Sequence, residues 1–254
     1  MAGAEIPHKE RKRDRLKRVV WRAVPVPLSV RTSDLPKRAA SAVVMLAIAG
    51  AALWLGGWWQ DALFILVSVV CFGEFWRLVT RAARLTSTRI IAIIAGALYL
   101  GYSAWLLLKI DNFQLLLLVI GAVVCVDTFA YFFGRTLGGP KIAPRISPSK
   151  TWAGLLGGAV GATFALSAYF ALGGGTMRLG NILELILPGA LIAIVAQAGD
   201  FFESWLKRKA GMKDSSGLIP GHGGVFDRID GLIPVVILVG TVLVMHYPHW
   251  LERQ

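Results

Sequence analysis

The chain has 254 residues, of which 56% are hydrophobic and only 17% are charged. Soluble domains carry about 25% charged residues, so this composition excludes an ordinary soluble fold and indicates a membrane protein. The formal net charge of +12 would suit a nucleic-acid binder, but the basic residues lie in the segments that flank apolar runs. We therefore expect no nucleic-acid partner.

The N-terminal segment is polar and strongly basic. Residues 1–38 contain eleven Lys or Arg and no long apolar run, and we interpret them as a cytosolic arm. Attraction to anionic lipids accounts for this charge, and a helix lying on the membrane surface fits Arg11–Trp21. We assign residues 39–254 to a single membrane-embedded domain.

Seven apolar stretches follow, each long enough to cross about 30 Å of hydrocarbon. No alternation typical of strands is present, and helices satisfy their own backbone groups in lipid. The predicted fold class is an all-α polytopic membrane protein, a bundle of about seven transmembrane helices. The predicted spans are Ala39–Gly57, Ala62–Val79, Ile90–Leu108, Phe113–Phe133, Trp152–Leu172, Ile182–Phe202 and Leu232–Tyr247.

The distribution of basic residues predicts the orientation. With the N-terminus in the cytoplasm, 24 of the 27 Lys and Arg fall on the inner side, and only Lys109, Arg178 and Arg253 fall outside. This agrees with the positive-inside rule. We expect an integral protein of a bacterial inner membrane with its C-terminus on the outer side. The two most polar loops, residues 134–151 and 207–230, then share the cytosolic face.

Carboxylates interrupt several of the apolar segments. A charge at bilayer depth is costly, so such residues usually face the bundle interior or a polar cavity. Steps of three and four residues place polar side chains on one face of a helix. Those of the sixth span are Gln197, Asp200, Glu203, Ser204 and Lys207, and those of the fourth are Asp127, Tyr131 and Arg135. Both stripes run towards the cytosolic loops, which predicts a polar pocket that opens inwards.

Some of these acids have a purely structural interpretation. For Glu74 we favour an ion pair with Arg77 or Arg81 at the membrane border. Asp230 either caps the N-terminus of the last helix or belongs to the pocket, and these alternatives stay open. Asp127 is either a pocket residue or a partner in an interhelical hydrogen bond.

The most polar stretch of the chain runs from Ser204 to Asp230, between two apolar segments. Its interleaved acids would oppose binding to anionic lipids, so they indicate a metal ion or an ordered ionic network. The positions with a recognisable pattern are Ser204, Lys207, Arg208, Lys213, Asp214, Pro220, His222, Gly223, Gly224, Asp227, Arg228 and Asp230.

This stretch resembles the signature of the phosphatidate cytidylyltransferases, also called CDP-diacylglycerol synthases. Three other blocks look like elements of that family: Asp127 to Arg135, Ser147 to Thr151, and Gly199 to Ser204. The first 110 residues resemble the family mainly in hydropathy. Ala153 departs from the pattern, since many relatives carry an acid there.

The resemblance implies transfer of a cytidylyl group from CTP to phosphatidic acid at a cytosolic-face active site in the membrane-embedded domain. It implies that Asp200 and Asp227 are catalytic and bind Mg²⁺, and it suggests K⁺ as a second cation. Membrane lipids are expected partners, and relatives suggest a homodimer. The substrate-binding residues that it implies are Asp127, Tyr131, Ser147, Lys150, Ser204, Lys207, Arg208, Lys213, Asp214, His222, Arg228 and Asp230. For His222, a phosphate contact and a bracing role in the loop are equally supported.

The sequence has alternative interpretations. A related enzyme could use another CTP-dependent reaction or a polyprenyl phosphate. A secondary transporter would show inverted repeats and polar groups near the bilayer midplane. Here the polar residues gather at one end and no repeat is evident, which disfavours transport.

Overall fold

The structure is a computed structural model that describes residues 35–110, 112–176 and 178–246. The predicted basic arm and its surface helix lie outside the described residues, apart from residues 35–38, which begin the first helix. The helices are α1 (Leu35–Leu55), α2 (Gly57–Ala82), α3 (Thr86–Lys109), α4 (Phe113–Thr136), α5 (Trp152–Leu172), α6 (Leu179–Ala210), α7 (Phe226–Ile229) and α8 (Leu232–His246).

Six of these helices, α1 to α6, are long and apolar enough to cross a membrane. The all-α polytopic class is thereby confirmed. The seventh predicted span corresponds to α8, which has 15 residues in the described part of the chain. At 1.5 Å per residue it rises about 22 Å, less than the thickness of the hydrocarbon core.

The sixth helix continues beyond its predicted end at Phe202. It reaches Ala210, and Gly211 ends it in the left-handed conformation with a φ of 65°. Lys207, Arg208 and Lys209 therefore lie on the last turn of α6 rather than in a loop. Their positive charges interact favourably with the carbonyl end of the helix dipole, which explains why the helix does not stop where its apolar run stops.

A short hairpin connects α4 to α5. Strand β1 (Lys141–Ala143) pairs antiparallel with β2 (Ser147–Thr151), with Lys141 opposite Thr151 and Ala143 opposite Ser147. The Thr151 hydroxyl accepts a 3.0 Å hydrogen bond from the N–H of Gly154 and so caps α5. Sequence analysis predicted no strand here, because strands this short do not show a readable alternation.

Apolar packing holds α3, α4, α5, α6 and α8 together around one buried cluster. Its members include Leu106, Val126, Ala162, Ala193 and Val235, each at most 1% exposed. A second cluster joins α2 and α3 to the end of α6 and to α7. Helix α1 packs against α2, but none of the residues in its apolar stretch is buried.

Polar contacts gather at one end of this bundle. They join the start of α1, the end of α2, the β1–β2 hairpin, the end of α6 and residues 211–225, which we call the 211–225 loop. The two polar loops that the sequence predicted to share a face therefore do meet.

Candidate active site

The centre of the polar end is an ionic cluster around Lys207. Its ammonium nitrogen lies 2.6 Å from Oε2 of Glu203, one turn earlier on α6, and 2.9 Å from Oδ1 of Asp227 on α7. Both acidic side chains are only 3% exposed. Buried charges of this kind are stable only when they are paired and hydrogen-bonded. The cluster thus fixes α7 against the end of α6.

Backbone donors complete the environment of Asp227. Its Oδ2 accepts hydrogen bonds of 2.9 Å from the N–H of Ser215 and 2.8 Å from the N–H of Gly224. Gly223 has a φ of +85°, and a Cβ there would lie 2.7 Å from Oδ2 of Asp227. Glycine is therefore required for the loop to approach this carboxylate.

These contacts determine the protonation of Asp227. Burial alone would raise the pKa of its carboxyl, but the neighbouring Glu203 side chain and the N–H of Gly224 act in the opposite direction. The Lys207 and Ser215 donors add to this effect, and the pKa of Asp227 falls well below its usual range. Asp227 is consequently a stable anion that can bind a cation.

A second ion pair lies between the hairpin and α6. The ammonium of Lys150, at the end of β2, contacts the Asp200 carboxylate. Burial tends to lower the pKa of Lys150, but the ion pair with Asp200 raises it above its ordinary value. The charges of Asp127 and Asp230 act in the same direction, which places four of the predicted residues in one electrostatic neighbourhood.

The carboxyl group of Asp230 interacts with charged residues of both ion-pair clusters. Burial raises its pKa to about 7, and the negative charge of Asp200 contributes to this rise. The N–H of Gly231 and the charges of Lys207 and Lys150 oppose it. Asp230 is thus sensitive to both lysines, and this supports the pocket interpretation that sequence analysis left open.

A polar cavity of about 660 Å³ opens beside these clusters. It lies between the hairpin and the end of α6, and its volume is in the range of small-molecule sites. Three of its lining residues are basic, which suits a ligand with several phosphates. The lining residues are Ile146, Ser147, Pro148, Ser149, Ser204, Lys207, Arg208, Gly211, Met212 and Lys213.

His222 braces the loop against the first helix. Its Nδ1 lies 3.0 Å from the hydroxyl of Ser41 on α1, and the same hydroxyl donates a 2.9 Å hydrogen bond to the carbonyl of Pro220. This contact fits a bracing role for His222, and the phosphate contact stays a prediction. Ser41 was not predicted as a contact of this loop, because nothing in the sequence separates it from other serines near the start of an apolar helix.

Glu74 was misinterpreted from the sequence. It does not pair with Arg77 or Arg81: it is 4% exposed and accepts hydrogen bonds from the Ser215 hydroxyl and the N–H of Phe226. The sequence does contain a signal for this role. A carboxylate in an apolar segment is costly, and this argument, which places Asp200 in a pocket, applies equally to Glu74.

Other predicted residues lie at the periphery of the site. The Tyr131 hydroxyl accepts a 2.8 Å hydrogen bond from Arg135, and its side chain is 58% exposed, so among the described residues it does not join the lysine–carboxylate pairs. Arg228 is exposed on α7, and Asp214 is exposed beside Gly223.

The donor set around the two lysines suits a hard cation. In the described part of the chain, no group of three or more His, Cys, Asp or Glu is close enough together to hold a metal ion by itself. Mg²⁺, however, is usually held by one or two carboxylates together with substrate phosphates. Asp200 and Asp227 each carry carboxylate oxygens of the type that Mg²⁺ prefers, and Oε1 of Glu203 is buried without a hydrogen-bond partner. These residues fit Mg²⁺.

The chain is similar in sequence to a known protein family. The model of a family described as the cytidylyltransferase family matches residues 85–246. A phosphatidate cytidylyltransferase of Brucella abortus biovar 1 (strain 9-941) is 45% identical over 154 residues, which are 57% of this chain and 54% of that protein. This chain therefore spans about half the length of that relative.

Two further relatives carry the same name. The phosphatidate cytidylyltransferase of Haemophilus influenzae is 36% identical over 182 residues, 70% of this chain and 63% of that protein. That of Rickettsia bellii is 34% identical over 213 residues, 79% of this chain and 87% of that protein. The similarity therefore extends over most of the described helices.

Proposed function

This chain belongs to the cytidylyltransferase family, and we propose on that premise that it transfers the cytidylyl group of CTP to phosphatidic acid. The products are CDP-diacylglycerol and pyrophosphate. The observation that carries the proposal is the convergence of the Lys150–Asp200 and Lys207–Asp227 pairs beside a polar cavity at one end of a membrane bundle.

The reaction brings two strongly negative groups together. A phosphate oxygen of phosphatidic acid forms a bond to the α-phosphorus of CTP, and the bond between the α-phosphorus and the oxygen bridging it to the β-phosphorus breaks. Pyrophosphate leaves with the electrons of that bond. Such transfers depend on positioning and charge stabilisation rather than on covalent catalysis.

Basic side chains of this chain supply much of that stabilisation. Lys207, Arg208 and Lys213 line the cavity, where their charges can bind phosphate oxygens of CTP or of the lipid. Ser147 and Ser204, which also line it, offer hydroxyl donors. The ammonium of Lys207 has three N–H donors. Glu203 and Asp227 accept two of them, which leaves one for a phosphate oxygen.

Asp200 and Asp227 are the proposed ligands of Mg²⁺. When bound there, Mg²⁺ would offset the negative charge that develops on the departing pyrophosphate. The hydrogen bonds from Ser215 and Gly224 hold Asp227 in one orientation for this purpose. The family resemblance also suggests a monovalent cation such as K⁺ and a homodimer, and both remain part of the proposal.

The membrane setting suits a lipid substrate. Phosphatidic acid lies in the bilayer with its phosphate at the surface, and the site lies at the end of the bundle that carries most of the basic residues. By the positive-inside rule we assign this end to the cytoplasm, where CTP is available. The bacterial relatives support a bacterial inner membrane as the location.

The test is a direct assay. Purified protein in detergent is incubated with CTP, phosphatidic acid and Mg²⁺, and CDP-diacylglycerol and pyrophosphate are measured. We expect both products in equal amounts, loss of both when EDTA removes the metal, and recovery when Mg²⁺ is restored. Absence of CDP-diacylglycerol from a folded protein would contradict the proposal. A polyprenyl phosphate in place of phosphatidic acid tests the alternative substrate.

A further inference from the structure

Glu74 connects the membrane helices to the 211–225 loop. It lies on α2, two turns before the end of that helix, and its side chain is 4% exposed. A buried carboxylate is costly unless its oxygens accept hydrogen bonds. The groups that donate hydrogen bonds to Glu74 therefore explain why an acid can occupy this position.

Each carboxylate oxygen of Glu74 accepts from one of the loop serines at 215 and 216 and from one backbone N–H where the loop meets α7. Oε1 accepts from the hydroxyl of Ser216 and, at 3.1 Å, from the N–H of Val225. Oε2 accepts from the hydroxyl of Ser215 at 3.0 Å and from the N–H of Phe226 at 2.7 Å. Glu74 thus bridges two chain segments about ten residues apart, and the bridge is made twice.

The bridge is tightly packed. A Cβ on Gly224 would lie 2.6 Å from both oxygens of Glu74 and 2.0 Å from the hydroxyl of Ser215. Real Cβ atoms do not approach this closely, so only glycine allows the loop to close over the carboxylate. Gly224 is therefore required here by space, although its own φ is not in the left-handed region.

The same loop residues hold Asp227. The N–H groups of Ser215 and Gly224 donate to its carboxylate, and Asp227 directly follows Phe226, whose N–H donates to Glu74. Two acids, one from α2 and one from α7, thus accept hydrogen bonds from the same two segments, residues 215–216 and 224–226. A displacement of the loop from Glu74 would also displace the donors of Asp227.

We propose that Glu74 is a positioning residue: it closes the 211–225 loop and thereby sets the place and orientation of Asp227. The effect on catalysis rests on the proposed function, whereas the effect on the loop does not. The hydrogen bonds of Glu74 go to loop residues and to Phe226 at the start of α7, so Glu74 acts on the metal site through Asp227. Replacing a residue that orients a metal ligand typically lowers metal affinity or activity by about 10- to 100-fold.

Glu74→Gln is the sharpest test because it conserves size. A glutamine has one acceptor oxygen and one NH₂ group, which only donates. Whichever way the amide is turned, NH₂ faces the N–H of either Val225 or Phe226, and that backbone donor loses its acceptor. The serine hydroxyls can rotate to accept from the amide, but a backbone N–H cannot.

The first measurement is hydrogen–deuterium exchange of the backbone amides in detergent, compared with the unsubstituted protein. In Glu74→Gln, amides of residues 215–226 should exchange about tenfold faster, since one buried backbone N–H loses its acceptor. Amides in the middle of α6 should not change. Arg77→Gln, an exposed change one turn away on α2, is the matched control and should leave the loop unchanged.

A second variant keeps the test decisive if Glu74→Gln does not fold. Replacing Ser215 and Ser216 together by alanine removes two of the four donors and leaves the backbone donors in place. Exchange in residues 215–226 should then rise by a smaller factor. Loop exchange that stays unchanged in a folded Glu74→Gln or in the double serine variant would overturn the proposal.

The third measurement separates positioning from a general loss of folded enzyme. The Mg²⁺ concentration that gives half of the maximal rate should rise about tenfold in Glu74→Gln. A smaller fraction of folded enzyme would lower the maximal rate without moving that concentration, and that outcome would overturn a role through Asp227. If the unsubstituted protein forms no CDP-diacylglycerol, the proposed function fails, while the exchange experiment still decides whether Glu74 closes the loop.

Discussion

The ammonium group of Lys207 donates a 2.9 Å hydrogen bond to Oδ1 of Asp227, and this bond joins the last turn of α6 to the four-residue helix α7. The two residues are 20 positions apart. In the proposed function, this pair lies beside the cavity where a cation and the substrate phosphates would bind. This pair is therefore the first target for substitution.

Asp227→Asn should reduce turnover by at least about a thousandfold, because stabilisation by a metal contributes several kcal/mol. The amide keeps the size of the side chain but loses the negative charge. The measurement is the rate of CDP-diacylglycerol formation in detergent with Mg²⁺. Glu184→Gln, an exposed change at the far end of α6, should retain the normal rate. A purified Asp227→Asn protein with a near-normal rate would rule out the ligand assignment.

Lys150→Met should lower turnover by at least about tenfold, which corresponds to about 1.4 kcal/mol of lost charge stabilisation. The change leaves the Asp200 carboxylate without its ammonium partner. Lys150→Arg, which keeps the charge, should recover part of the rate. Lys141→Met removes an exposed charge from the other strand of the same hairpin and serves as the control. Equal rates for the Lys150 and Lys141 methionine variants would exclude a role for Lys150.

Gly199→Ala should destabilise the bundle by about 1–3 kcal/mol, the usual cost of overpacking. A Cβ at this position on α6 would lie 2.2 Å from the carbonyl oxygen of Asp230 and 2.8 Å from Cγ of Pro234. The measurement is the thermal unfolding midpoint in detergent. Gly180→Ala, on the same helix with nothing within 4 Å of its added Cβ, should be neutral or stabilising. Similar thermal unfolding midpoints for both variants would contradict this prediction, because Asp230 and Pro234 would then move away from the added methyl group without cost.

The orientation can be tested by labelling single cysteines. With Cys71 and Cys125 replaced by alanine, a cysteine at Pro140 should react with a membrane-impermeant maleimide only from the cytosolic side. A cysteine at Thr176, which lies between α5 and α6, should react only from the outside. Labelling of the Pro140 position in intact cells would overturn the assigned orientation, since the positive-inside rule places this loop in the cytoplasm.

The length of the apolar runs predicted seven spans, and six of them are long helices, because a segment that crosses lipid must satisfy its backbone internally and must be apolar along its length. The hairpin between Lys141 and Thr151 was not predicted, since its strands are too short for a periodic signal. The extension of α6 to Ala210 was also missed. Its last two turns are charged and amphipathic rather than apolar, so hydropathy could not show that the helix continues.

The candidate site was predicted in part. Asp200, Lys207 and Asp227 were selected from their motif, and the structure places each of them in an ion pair. The residues with which these side chains pair could not be predicted from the sequence. Lys150 and Asp200 are 50 residues apart, and the pairing of Glu74 with Ser215 spans 141 residues. A sequence pattern contains no information about which of several acids a distant loop will contact.

The sequence by itself determined that this chain spans a membrane and collects its charges on one side, since burial of apolar surface and the cost of charge in lipid act on local segments. Only the tertiary structure decided which buried acid serves which partner. Glu74 binds the 211–225 loop rather than a nearby arginine because helix packing brings Ser215 and Phe226 within 3.0 Å and 2.7 Å of its carboxylate. Hydrogen bonds act over such short distances that their pairing depends on how the helices pack.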